Sequence, residues 1–390
     1  MVQNMHNWIT SFPDNFKWSN ATLVCKGMAP YGAVSMEEID RICTKLRDGP
    51  HSTDAWVAAW CNMADTLVER AKKADALGHH RTAGRLYLRA GNYYYTGERF
   101  VEPGERKLSI YRKALLASQN GLQRNYPEIE FIDVPYEKGS LAAYFFPASG
   151  KNNTPAPTIV VFDGMDNCKE MSVLFAGIEF SKRGFNTLAI DGPGQGESLR
   201  LRKHYARPDY EVAGRAAYDW VTTRKDVDAN RVVVMGYSLG GYYAPRVASF
   251  EHRYAACVAL GAMPLDYHAR QLERRKVIER NPEQSSQSNF QLQFIFGIND
   301  LDKCLDITKK YTIVDCAKNI QCPVLIVHGA CDHLTPESAA YDMRDLIGKD
   351  KVHLKIFSAE EGAFEHCQVD DRELGIDYIS DWLEDIFIKI

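Results

Sequence analysis

The stretch Arg231 to Arg246, RVVVMGYSLGGYYAPR, constrains this chain more than any other. Val232 to Met235 have the character of a buried strand, and a helix-compatible segment follows Gly240. Between them lies Gly236-Tyr237-Ser238-Leu239-Gly240, a G-x-S-x-G sequence where a strand must turn sharply into a helix. Glycines on both sides let the two backbones approach closely and push Ser238 out at the top of the turn. The helix behind it offers unpaired N–H groups and a partial positive charge to a developing oxyanion. Ser238 therefore reads as a nucleophile, with a purely structural turn as the competing reading.

With 390 residues, the chain has room for one large domain and a smaller one. A net charge of -4 gives no electrostatic reason to expect nucleic acid or an anionic membrane as partner. The ten cysteines are scattered without a C-x-x-C pair, which in a chain of this length reads as reduced thiols. The first residues lack the basic segment and apolar core of a signal peptide, and no apolar run reaches spanning length. A cytoplasmic protein is expected.

The pattern changes near residue 125. Residues 1–125 are expected to form a helical cap region, and residues 126–390 a catalytic domain. Trp56, Trp60, Met63, Leu67 and Ala71 recur at helical spacing, and Ala83, Leu86, Tyr87, Ala90 and Tyr94 repeat the scheme. A third helix carries Tyr111, Leu115 and Leu122. Aromatic side chains at such spacing read first as packing. The sharper alternative is that some of them, Trp56, Trp60 and Tyr94 with Tyr237 of the elbow, line a substrate pocket over Ser238.

Beyond residue 125, strands alternate with helices, the sign of a mostly parallel sheet covered on both faces. Strands are expected at 129–134, 140–146, 158–163, 186–191, 232–235, 254–260, 324–328 and 352–357, eight in all. An interruption at about 261–317 is too long for a plain loop and reads as a helical insertion, a cap or lid.

A serine on such an elbow takes its partners in the chain order Ser, then Asp or Glu, then His. PVLIVHGACDHLTP places Asp332 just after a late strand, and SAEEGAFEHCQVDD places His366 between the last strand and the final helix. His366 would take the proton of Ser238, and Asp332 would hold the imidazole tautomer. His328 and His333 compete as bases, but neither follows the last strand. The backbone N–H groups of Leu239 and Met165 are the candidates for the oxyanion, Met165 from the loop after TIVVFD. Asp191 to Ser198, DGPGQGES, lacks the Lys-Ser/Thr of a phosphate loop and reads as a tight turn bordering the pocket. No H-E-x-x-H or similar spacing calls for a metal, and no cofactor is implied.

Taken together, FDGMDNCKEM, AIDGPGQGES, GYSLGG, PVLIVHGACDHLTP and EHCQVDD resemble a subgroup of the α/β-hydrolases, as does the helical YLRAGNYYYTGERF. That subgroup includes the bacterial 2,6-dihydroxypseudooxynicotine hydrolase and hydrolases of fungal polyketide pathways. The resemblance runs from about residue 55 onward. It implies the α/β-hydrolase fold with a helical N-terminal cap, a triad of Ser238, Asp332 and His366, and often a homodimer. It further implies a small-molecule substrate, β-dicarbonyl or polyketide-like, cleaved at a carbon–carbon, ester or thioester bond. The alternatives are a non-hydrolytic cyclase or condensation catalyst on the same site, a general carboxylesterase, or a binding protein.

Overall fold

The computed structural model describes residues 9–150 and 155–389. The first eight residues, on which part of the reading of a missing leader rests, lie outside them. The chain forms two compact units, one of Met1–Ile129 with Arg274–Gln291 and one of Glu130–Glu273 with Leu292–Ile390.

The first unit is helical, with helices Phe16–Lys26, Met36–Arg47, Thr53–Ala76, His80–Glu98 and Glu105–Asn125. Ser52 caps the third of these by accepting from the amide of Ala55, and Asn15 caps the first through Trp18. Glycines allow the last two helices to pack closely: a Cβ on Gly91 or Gly121 would collide with Ser118 or Leu88 of the facing helix. Trp56 and Trp60 are both fully buried and pack with ring planes tilted by 48° and 5.3 Å between ring centres. Lys107 and Glu98 form a 2.5 Å ion pair inside the unit, each with a side chain only 1% exposed.

The second unit is built on an eight-stranded sheet: β1 Glu130–Tyr136, β2 Gly139–Phe146, β3 Ala156–Phe162, β4 Asn186–Ile190, β5 Val227–Tyr237, β6 Ala256–Leu260, β7 Val324–Gly329 and β8 Val352–Phe357. Their order is β1-β2-β4-β3-β5-β6-β7-β8. β1 and β2 pair antiparallel, β2 lies antiparallel to β4, and every other pairing is parallel. The central strands read as continuous apolar runs because both faces are covered. β3, β4, β6 and β7 are buried at every position. Register places Phe162 opposite Gly236 and Tyr237 opposite Leu260. The carboxyl ends of β3, β5 and β6 therefore finish side by side, at the edge where sites on open parallel sheets form.

The expected insertion contains helices Tyr267–Arg280, Gln291–Phe296 and Leu301–Thr308. Its stretch Arg274–Gln291 groups with the N-terminal unit, a division no local pattern announces. No helix among the described residues is long and apolar enough to cross a membrane.

Candidate active site

β5 delivers its last residue, Tyr237, directly into the turn at Ser238. Ser238 adopts φ +57°, a left-handed conformation that costs a non-glycine residue about 1–2 kcal/mol. The surroundings hold it there: the Ser238 amide donates to Leu260 O at 2.9 Å, and its carbonyl accepts from Gly241 N at 2.7 Å. Helix Gly240–Phe250 starts at once, with Leu239 at its N-cap. The first amides of a helix have no acceptor within it, so this end presents N–H groups beside the serine.

Three loops meet here. His366, after β8, places Nε2 2.8 Å from Ser238 Oγ and Nδ1 2.6 Å from Asp332 Oδ2. Asp332, after β7, has a side chain with no exposed surface. Its Oδ1 accepts from the amides of Leu334 (2.7 Å) and Thr335 (2.8 Å), and its Oδ2 also accepts from Thr335 Oγ1 (2.7 Å). Burial alone would raise its pKa, but the charge and hydrogen bond of His366 outweigh burial and hold it below the ordinary carboxylate range. His366 is likewise pulled down by burial and pushed up by the carboxylate of Asp332, with a net rise. Gly261, at the end of β6, needs its left-handed φ of +84° and its missing side chain: a Cβ there would lie 3.6 Å from His366 Cε1 and 2.9 Å from Cys367 Sγ.

The two competing imidazoles go elsewhere. His328 is fully buried, with Nδ1 accepting from the amide of Ala262 at 3.2 Å. Its proton therefore sits on Nε2, which faces Thr335 O at 3.3 Å and Asp332 Oδ2 at 3.7 Å. Burial lowers its pKa, so it stays neutral behind the acid loop. His333 pairs with Glu365 at 3.0 Å, a second histidine–carboxylate contact joining the Asp332 and His366 loops. Sequence spacing alone does not reveal that contact.

The loop after β3 lies against the serine. A Cβ on Gly164 would stand 2.8 Å from Ser238 Cβ, so only glycine lets this backbone, with Met165 next in line, run beside the elbow. Asp163, which stands where many such sites have a histidine, is fully buried. Its Oδ1 accepts from the hydroxyls of Ser172 and Tyr237. Burial first, then the charge of Asp191, pushes its pKa well above the usual carboxylate range. Asp191 in turn anchors the DGPGQGES turn, accepting from the amides of Lys169 and Glu197 (both 2.7 Å) and from Lys169 Nζ (3.0 Å).

Of the aromatic residues named as pocket candidates, Trp56, Trp60 and Tyr94 belong to the helical unit and Tyr237 to the sheet unit. Trp56 donates its indole N–H to Thr96 O at 2.9 Å and packs on Trp18 and Phe100. Trp60 packs on Tyr93, and the hydroxyl of Tyr94 donates to Asp65. Tyr237 turns its hydroxyl to Asp163 and its ring to Phe175. Among the described residues, no group of three His, Cys, Asp or Glu side chains is arranged to hold a metal ion.

A parallel sheet with a strained serine turn at its carboxyl edge, and a histidine in the loop after the last strand, defines an α/β-hydrolase scaffold. The profile of the Alpha/beta hydrolase family matches residues 170–300, and the chain has the fold of that family. It is 27% identical to the 2,6-dihydropseudooxynicotine hydrolase of Paenarthrobacter nicotinovorans, over 88% of this chain and 87% of that protein. It is 24% identical to the 20-hydroxy-prefusarin hydrolase of Gibberella moniliformis, over 98% of each. The crystal structure of a 2,6-dihydroxy-pseudo-oxynicotine hydrolase superposes with a TM-score of 0.73 at 24% identity, covering 93% of this chain and 95% of that one.

Proposed function

We propose that this protein is a serine hydrolase acting on a small polyketide-like carbonyl compound, with Ser238 as nucleophile, His366 as general base and acid, and Asp332 as the residue that orients and charges the imidazole. The observation that carries the reading is the unbroken chain of contacts Asp332 Oδ2, His366 Nδ1, His366 Nε2, Ser238 Oγ at 2.6 and 2.8 Å. In the first step the Ser238 hydroxyl proton passes to His366 Nε2 while Oγ bonds to the substrate carbonyl carbon. The carbonyl oxygen becomes an oxyanion held by the amides of Leu239 and Met165. Collapse breaks the bond to the leaving group, an alkoxide, thiolate or enolate, and His366 returns the proton to it. Water then cleaves the acyl-enzyme by the same route in reverse. Carbon–carbon cleavage requires a carbonyl beside the leaving carbon, so the choice of bond resides in the substrate.

Support for the substrate class comes from the relatives, one named for a pseudooxynicotine compound and another for a prefusarin. On the resemblance of its sequence motifs alone, we read the helical unit as a cap and the protein as a homodimer. The test of the reaction is labelling by a fluorophosphonate probe. Wild-type protein should be labelled at Ser238, and Ser238→Ala and His366→Ala should be neither labelled nor active while melting as wild type does. Labelling that survives in Ser238→Ala would refute the assignment.

A further inference from the structure

We infer that Gln195 is a positioning residue for the oxyanion site, acting through the backbone of the loop after β3; the inference rests on the serine-hydrolase reading above. Gln195 is 1% exposed and lies in the DGPGQGES turn. Its Oε1 accepts from the amide of Gly192 at 2.8 Å and from the Tyr210 hydroxyl at 2.9 Å. Two donors converge on that atom, so it must be the oxygen, and the other end of the amide must be the NH2 group. That NH2 group donates to the carbonyls of Asp163 and Gly164, the latter at 3.4 Å.

The consequence follows from peptide geometry. A trans peptide unit is planar, with its C=O and N–H pointing in opposite directions. A donor that holds the Gly164 carbonyl therefore sets the direction of the Met165 N–H, the amide proposed to meet the oxyanion. Gly164 makes such a restraint necessary. It lacks a side chain because Ser238 occupies that space, and a residue without Cβ leaves its flanking peptide units free to rotate. The Gly164 carbonyl also accepts from the Asn167 amide at 3.3 Å, so Gln195 holds it together with a donor from its own loop.

Gln195 is itself held from the elbow side. Tyr210, which donates to it, stacks on Tyr243 at 3.5 Å between ring centres, and Tyr243 belongs to helix Gly240–Phe250. The helix that begins at Leu239 and the loop that carries Met165 are thus tied through one glutamine. The tie sets the two proposed oxyanion donors in register.

The experiment measures inactivation by a fluorophosphonate under saturating conditions, separating the maximal rate kinact from the half-saturation constant KI. This readout needs no knowledge of the natural substrate. In Gln195→Met the loss of a fixed oxyanion donor should lower kinact by about 100-fold or more. KI, which reports ground-state binding, should stay within about threefold of wild type. Should Gln195→Met lose its cooperative melt, Gln195→Glu carries the same test, since its carboxyl group keeps an acceptor for Gly192 and Tyr210 and turns an oxygen, in place of the donor, toward the carbonyls of Asp163 and Gly164. A kinact within about threefold of wild type in the folded variant, or a change confined to KI, would overturn the inference. Failure of the wild-type protein to label would instead bring down the serine-hydrolase reading on which it stands.

Discussion

Replacing Asp332 by Asn tests the proposed mechanism where the structure is most explicit. Oδ1 of Asp332 faces two backbone donors, the amides of Leu334 and Thr335. An asparagine must keep its oxygen there, because turning its NH2 group to those amides would set donor against donor in a buried site. The NH2 group then takes the place of Oδ2 and donates toward His366 Nδ1, which at present lies 2.6 Å from the carboxylate. The imidazole is forced to carry its proton on Nε2, pointing at Ser238 Oγ, and can no longer accept the serine proton. Wrong-tautomer substitutions of this kind cost ~10⁴-fold in kcat, which corresponds to about 5.4 kcal/mol of transition-state stabilisation. The fold should survive, since side-chain volume and the Oδ1 bonds are retained. The assay is the rate of fluorophosphonate labelling of Ser238 at neutral pH, alongside thermal melting. A folded Asp332→Asn protein labelled within tenfold of the wild-type rate would refute the tautomer argument, and with it the role of Asp332.

Three further outcomes follow from the geometry. The pKa of His366 is raised, so the labelling rate should fall as pH drops through a midpoint above the ~6.5 of an ordinary imidazole. Only the neutral ring accepts the proton, and a midpoint at or below that value in a pH–rate profile contradicts the charge assignment. Gly164→Ala puts a methyl group 2.8 Å from Ser238 Cβ. It should slow labelling at least tenfold and cost about 1–3 kcal/mol in urea denaturation; wild-type behaviour in both would show that the loop does not run where described. Lys107→Met strips Glu98 of its 2.5 Å partner inside the helical unit, so urea denaturation should show a loss of about 3–5 kcal/mol. The double variant with Glu98→Gln should recover part of that loss, because a neutral amide costs less to bury beside a methionine than a carboxylate does.

Much of this protein is legible from local order. The elbow announces itself because a valine-rich strand, two glycines and a helix must occur in sequence for the turn to form at all. Asp332 and His366 could be picked out by position, since each occupies a loop after an apolar run and loops after parallel strands open on one edge. The helices beginning at Thr53 and His80 are visible from their periodicity. The helices Phe16–Lys26 and Met36–Arg47 lie inside the expected helical region, without bounds of their own. The first has only a weak contrast between its faces, whereas the second carries Ile39, Ile42, Cys43 and Leu46 on one buried face at helical spacing.

Other features depend on pairs of residues far apart in the chain, and these carry no periodic signature. The placing of β4 outside β3, and the grouping of Arg274–Gln291 with the N-terminal helices, are decided by which surfaces bury each other. Tyr237 reads as a pocket wall from its place beside Ser238, yet its hydroxyl is drawn inward by a buried Asp163, 74 residues away in sequence. DGPGQGES reads only as a turn, and nothing in its spacing tells where the Gln195 amide points. That direction exists only once Tyr210, Gly192 and the carbonyls of Asp163 and Gly164 have converged, since a buried amide is oriented by its partners and not by its neighbours in the chain.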